Sequence, residues 1–159
     1  MQLKGENLCK VKPELLYHAL LDPNKLALAL PGCKSLKVPE PNVYTGEVEL
    51  GVGPVKGTYS VTVNLVEQQP PAYLKLEADG KGLTGQVSFT MELRLQETEE
   101  GTLANWTVDA MVSGLVASVG SRVLSKVARF IADQFFSKLL AAGNQEGDNS
   151  AIQMLSNNR

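Results

Sequence analysis

The chain has 159 residues, 43% hydrophobic and 20% charged, with a net charge of −2, the composition of one globular domain. That balance argues against a basic nucleic-acid surface, and no apolar run approaches the roughly 20 residues of a membrane-spanning helix. The first residues alternate and carry charges, unlike a signal peptide, and Cys9 and Cys33 are too few for a disulfide framework, which points to a reducing, cytoplasmic setting.

Residues 2–10 alternate weakly and predict a short first strand. Lys12-Pro13-Glu14 opens a helix, because proline in the first turn loses no needed hydrogen bond, and Leu15, Leu16, Ala19 and Leu20 form its apolar face. Asp22 caps a second short helix that starts at Pro23 and carries Leu26, Ala27 and Leu30. Pro31-Gly32 ends it. From Lys34 the period changes from about 3.6 to 2. Leu36 and Val38 predict a short strand. Tyr44, Gly46, Val48, Leu50 and Val52 alternate with Thr45, Glu47 and Glu49, as in an antiparallel sheet wet on one side. Gly51–Pro54 turns the chain into a strand over 55–65, which Pro70-Pro71 closes. Leu74, Leu76 and Ala78 form the next strand, and Asp79-Gly80 predicts a hairpin turn. Leu83, Gly85, Val87, Phe89, Met91, Leu93 and Leu95 share one parity, the clearest strand of the chain. After a charged turn at 97–101, Ala104, Trp106, Val108, Ala110 and Val112 alternate in the last strand.

The stretch from Gly114 to Leu140 then reads as one long helix with Ser113 as N-cap and Gly143 as stop. Arg122, Lys126, Arg129 and Asp133 form its polar stripe, and Val116, Val119, Val123, Val127, Phe130 and Ile131 its other faces. Gly120 inside it would let a strand, a ligand or a partner approach the backbone. The pattern predicts an α+β domain over 1–142, in which a curved antiparallel sheet wraps a long C-terminal helix and two short helices plug one end. Residues 143–159 read as a polar flexible tail.

The inner parity mixes small residues (Gly46, Gly57, Ala78, Gly85, Ala104, Ala110) with Tyr59, Phe89, Met91 and Trp106. Such a face either interdigitates into a solid core or stands away from the helix and leaves an apolar cavity. Signals for catalysis are sparse. His18 is the only histidine, which rules out a three-histidine zinc site. There is no GxSxG elbow. Gly80–Gly85 matches GxGxxG but leads into a strand, so no helix N-terminus awaits a phosphate.

Leu30–Cys33, Gly51–Gly57, Gly114–Arg122 and Phe135–Leu139, in this order, resemble the G-subunit family of carbon monoxide dehydrogenase, within the START-like (SRPBCC) superfamily, over about residues 1–141. The resemblance implies a helix-grip fold with a deep apolar cavity and a lipophilic ligand such as a membrane quinone, with no other cofactor. It also implies association with a molybdenum-containing carbon monoxide dehydrogenase and peripheral contact at the inner membrane face. The expected cavity wall is Tyr59, Val87, Phe89, Met91, Trp106 and Val108, faced by Val119, Val123, Val127 and Phe130. The leading expectation is a non-enzymatic carrier with no catalytic or metal residues. The alternatives are a recruitment or assembly factor acting through Arg122, Lys126 and Arg129, and a small cyclase- or dehydratase-like enzyme using His18, Tyr17, Tyr59 and Cys33.

Overall fold

The computed structural model describes residues 1–51 and 53–157, with side chains through Ala141 apart from position 54. Strand β1 (Gln2–Cys9) is followed by α1 (Pro13–Leu21) and α2 (Pro23–Ala29). Six strands come next: β2 (Cys33–Glu40), β3 (Val43–Leu50), β4 (Gly57–Gln69), β5 (Tyr73–Gly82), β6 (Gly85–Thr98) and β7 (Gly101–Gly114). Helix α3 (Ser121–Asn157) ends the described chain, and short 3-10 turns lie at Gly53–Val55 and Leu115–Val119. The seven strands form one antiparallel sheet in the order β1-β7-β6-β5-β4-β3-β2. Only β1 departs from sequence order, and it pairs with the last strand along its whole length, from Gln2 opposite Asp109 to Cys9 opposite Thr102.

The predicted starts of the two short helices hold. Pro13 and Pro23 open α1 and α2, and the Asp22 carboxylate accepts from the amides of Asn24 (2.9 Å) and Lys25 (3.4 Å). Leu15, expected on the buried face of α1, is exposed.

Three boundaries differ from the sequence reading, each for a local reason. Asp79-Gly80 is not the β5–β6 turn. Pairing continues past it, with Asp79 opposite Ser88 and Gly80 opposite Val87, until Gly82 faces Gly85 across the two-residue turn Leu83-Thr84. The side chains of Ser88 and Gln86 donate to Asp79, which holds it inside the ladder. The long helix does not begin at Gly114. Gly114 (φ 80) and Gly120 (φ 85) both adopt positive φ, which helical geometry excludes, so a 3-10 turn intervenes and α3 starts at Ser121. Gly120 is therefore a joint between the two, and a Cβ built on it meets nothing within 4 Å. At the other end the backbone of α3 runs on through Gly143 to Asn157, since glycine weakens a helix but stops it only in the left-handed conformation. The side chains of the expected tail, and Val52, lie outside the described residues.

Two packed clusters hold the sheet to the helices. The larger joins Leu16, Tyr17 and Leu20 of α1, Leu93, Leu95, Ala104 and Trp106 of the sheet, and Phe136 and Leu139 of α3. The smaller joins Val55, Tyr59, Val116 and Val127, with Val61, Val87, Val112, Val123 and Ile131 against them. Helix α3 thus reaches one cluster with its first turns and the other with its later ones.

Candidate ligand site

Between the two clusters runs a row of inner-face residues that belongs to neither. Val63 lies opposite Ala78, Ala78 opposite Phe89, and Phe89 opposite Ala110. Phe89 and Val63 are only half-buried, although they point the same way as the buried Leu93 and Leu95. In the next row Val61 faces Gly80 and Gly80 faces Val87. A Cβ built on Gly80 would meet nothing closer than Val61 Cγ2 at 3.9 Å. A side chain there would begin in ordinary van der Waals contact with Val61, without overlap. Gly46 and Gly85 are small for the opposite reason, since a Cβ there would stand 2.3 Å from the Ser35 carbonyl and 2.2 Å from that of Ser113.

At the β7 edge the concave face meets a cleft of about 380 Å³, lined by Met1, Ala110, Met111, Val112, Ala117, Gly120, Ser121 and Leu124. Ala110 and Val112 are the row-mates of Phe89 and Val87, so the cleft touches the edge of the open rows. A wider hollow of about 570 Å³ lies on the outer face. Its Tyr73 and Arg94 are engaged: the Tyr73 hydroxyl donates to Glu92 Oε1 beside the hollow at 2.8 Å, and the Arg94 guanidinium stands 4.8 Å over the Tyr73 ring.

The expected wall residues divide accordingly. Tyr59, Val87, Val123 and Val127 meet in the smaller cluster, while Met91, Trp106 and Val108 pack in the larger. Trp106 is 5% exposed, lies against Gly5, and donates from Nε1 to Asn7 Oδ1 at 3.1 Å. Phe89 and Val119 are half-buried outside both clusters. Phe130 departs from the expectation, being 47% exposed. At about 100° per residue it falls roughly 60° from Val127, on the side of Lys126, and joins the exposed polar stripe instead of the sheet-facing one. Gly80 was missed because Asp-Gly reads as a turn. The signal that finds it is the unbroken alternation Leu74, Leu76, Ala78, Gly80, Gly82.

The residues expected for acid–base chemistry do not converge. His18 is exposed on α1. The Tyr17 hydroxyl donates to the Tyr73 carbonyl at 3.2 Å, and Cys33 Sγ to that of Ser35 at 3.4 Å. The Tyr59 hydroxyl donates to the Val55 carbonyl at 2.9 Å and pairs with Thr84 Oγ1 at 2.9 Å. Burial pushes the Cys9 thiol up to about 11 and also raises Tyr17 and Cys33, which keeps all three neutral. Among the described residues no group of three His, Cys, Asp or Glu side chains is placed to hold a metal ion. No helix among them is long and apolar enough to cross a membrane.

The family model for CoxG, the G subunit of carbon monoxide dehydrogenase, matches residues 5–142. A conserved protein of Geobacillus kaustophilus is 30% identical, with 89% of this chain and 94% of that chain covered at a TM-score of 0.84. Proteins of Chromobacterium violaceum (16% identity, TM-score 0.66, 88% and 95% covered) and Thermus thermophilus (15% identity, TM-score 0.64, 89% and 99% covered) share the fold. No curated protein matches the chain.

Proposed function

The chain belongs to the CoxG family, the G subunits of carbon monoxide dehydrogenase, and from that premise we propose that it carries a lipophilic small molecule, a membrane quinone being the leading candidate, for a redox enzyme of the carbon monoxide dehydrogenase type. The observation that carries this reading is the room left at Gly80, where a Cβ would meet nothing closer than 3.9 Å, beside the row Val63, Ala78, Phe89 and Ala110, of which Val63 and Phe89 are only half-buried. Its floor is apolar, and the cleft lined by Ala110 and Val112 adjoins the same rows. Burying a prenyl chain there stabilises the complex by about 0.8 kcal/mol per CH₂, so affinity needs no charged contact. No reacting group is required of a carrier, and the engagement of Tyr17, Tyr59 and Cys33 with backbone carbonyls supports a binding role over a cyclase or dehydratase. The test is mass spectrometry of a solvent extract of the purified protein, beside native mass spectrometry. A stoichiometric quinone or lipid is the expected result, and an apo mass under conditions that retain a known lipophilic complex overturns it.

A second reading, recruitment of the enzyme, is favoured by the exposed stripe Arg122, Lys126 and Arg129 with Phe130 among them. Reversing those three charges is then expected to abolish capture of the enzyme and leave the extract unchanged.

A further inference from the structure

The sheet has β1 and β2 as its edge strands, and the two edges are built differently. β2 carries Pro39, and its register with β3 shifts between Cys33 and Ser35 and again between Lys37 and Glu40. Proline and irregular register keep an edge from pairing with another chain. β1 has neither, and its 8 residues hold one unbroken register with β7. The direction of its free hydrogen-bonding groups follows from its first pair. The Met1 amino group donates to the Ala110 carbonyl at 3.0 Å, and the Ala110 amide donates to the Met1 carbonyl at 2.8 Å. In an antiparallel ladder such bonded pairs alternate with pairs that exchange no bond. Leu3, Gly5, Asn7 and Cys9 therefore turn their amides and carbonyls to β7, while Gln2, Lys4, Glu6 and Leu8 turn theirs outward. Among the described residues no other backbone group bonds to these outward ones, and the side chains of all four residues are exposed.

We infer that β1 pairs antiparallel with the β1 strand of a second copy of this chain, about a two-fold axis at Gly5, so that two sheets join into one. In that register Lys4 lies opposite Glu6 of the second copy, and Glu6 opposite its Lys4. Gln2 and Leu8 pair in the same way. Every outward residue then exchanges backbone bonds across the axis, and opposite charges face one another on both sides of it. Gly5 meets its counterpart at the axis with no side chain between them. Other registers fit less well. Those centred on Lys4 or Glu6 set like charges face to face, and those centred on Leu3 or Asn7 leave half of the outward residues unpaired. An extended peptide fits any open edge, but the mirrored charges about Gly5 single out a second copy, since an isologous contact requires a surface complementary to itself. This interface is independent of the carrier reading.

The test is sedimentation velocity over a concentration series, beside amide exchange followed by NMR. The wild type is expected to form a concentration-dependent dimer. Lys4→Glu sets a second carboxylate against Glu6, and Glu6→Lys sets a second ammonium against Lys4. Each is expected to weaken the dimer at least about tenfold. Mixed in equal amounts, the two variants are expected to form a heterodimer as tight as the wild-type dimer, because every charge across the axis then meets its opposite. Lys37→Glu changes the net charge as Lys4→Glu does, but on the β2 edge, and is expected to dimerise as the wild type does. As concentration rises, the amides of Lys4, Glu6 and Leu8 should exchange more slowly, while those of Leu3, Gly5 and Asn7, already bonded to β7, should not change. A wild type that stays monomeric up to millimolar concentration overturns the inference and leaves the edge to a strand of another protein. A dimer that neither single variant weakens, or that mixing them fails to restore, overturns it as well and places the contact on another surface.

Discussion

Gly5 lies directly beneath the indole of Trp106. The two are paired across β1 and β7, and a Cβ built on Gly5 would stand 2.3 Å from Trp106 Cζ2. The indole cannot easily yield, because Nε1 is bonded to Asn7, whose Nδ2 in turn donates to Asp133 of α3 at 2.8 Å. One side chain thus links the last strand, the first strand and the helix. Gly5→Ala is expected to destabilise the fold by about 1–3 kcal/mol through overpacking. Urea unfolding measures it, and an unchanged midpoint would show that Trp106 has room the packing denies.

Gly80→Leu carries the opposite expectation. A Cβ there would stand 3.9 Å from its nearest neighbour, Val61 Cγ2, and replacing a strand-interior glycine removes an entropic cost of about 0.5–1 kcal/mol. The thermal midpoint should hold or rise while a fluorescent apolar probe loses at least about tenfold in affinity. Gly46→Ala, whose Cβ would meet the Ser35 carbonyl at 2.3 Å, should lower the midpoint instead. A Gly80→Leu protein that unfolds early would mean the space is filled.

Tyr59→Phe removes the hydroxyl that ties Val55 to Thr84 while leaving the ring in place. The expected cost is about 1 kcal/mol. Hydrogen exchange should localise it, with faster exchange at Lys56, whose amide donates to the Gly53 carbonyl, and at Val116, and unchanged rates in the β1–β7 ladder. Uniform acceleration would contradict the local role.

The two thiols should behave differently. Cys9 is fully buried and Cys33 partly so, so a thiol reagent is expected to modify Cys33 first and Cys9 only on unfolding. The pH dependence follows from the raised Cys9 value. In the unfolded chain the thiol ionises near its ordinary 9.0, whereas in the folded protein it keeps its proton up to about 11. The folded state binds the extra proton in that interval, so stability falls as pH rises from 9.0 towards 11 and is unaffected below. Cys9→Ala should flatten that part of the stability profile.

The period-two runs make the sheet legible in the amino-acid order alone. In β6 the parity from Gly85 to Leu95 assigns every inner residue correctly, because one face is buried and a one-residue slip would expose all of it. Local punctuation is less legible. Asp79-Gly80 has turn chemistry but sits in a ladder, because cross-strand bonds to Ser88 and Gln86 outweigh the local preference. Gly114 and Gly120 read as helix start and helix interior, because sequence does not show φ. The candidate site is half legible. Parity finds Phe89 and Tyr59, but it does not say how far the sheet stands from α3. Trp106, expected on a cavity wall, is instead pinned between Gly5 and Asn7.

The placement of β1 has a kinetic consequence. Its strand partner is β7, so β1, synthesised before β2–β7, waits for the last of them before it is paired. In the interval the inward-facing Leu3 and Cys9 have no sheet to cover them. Pairings of such long range put the chain among the slower folders, and during synthesis β2–β6 can assemble as successive hairpins before the sheet acquires its final edge.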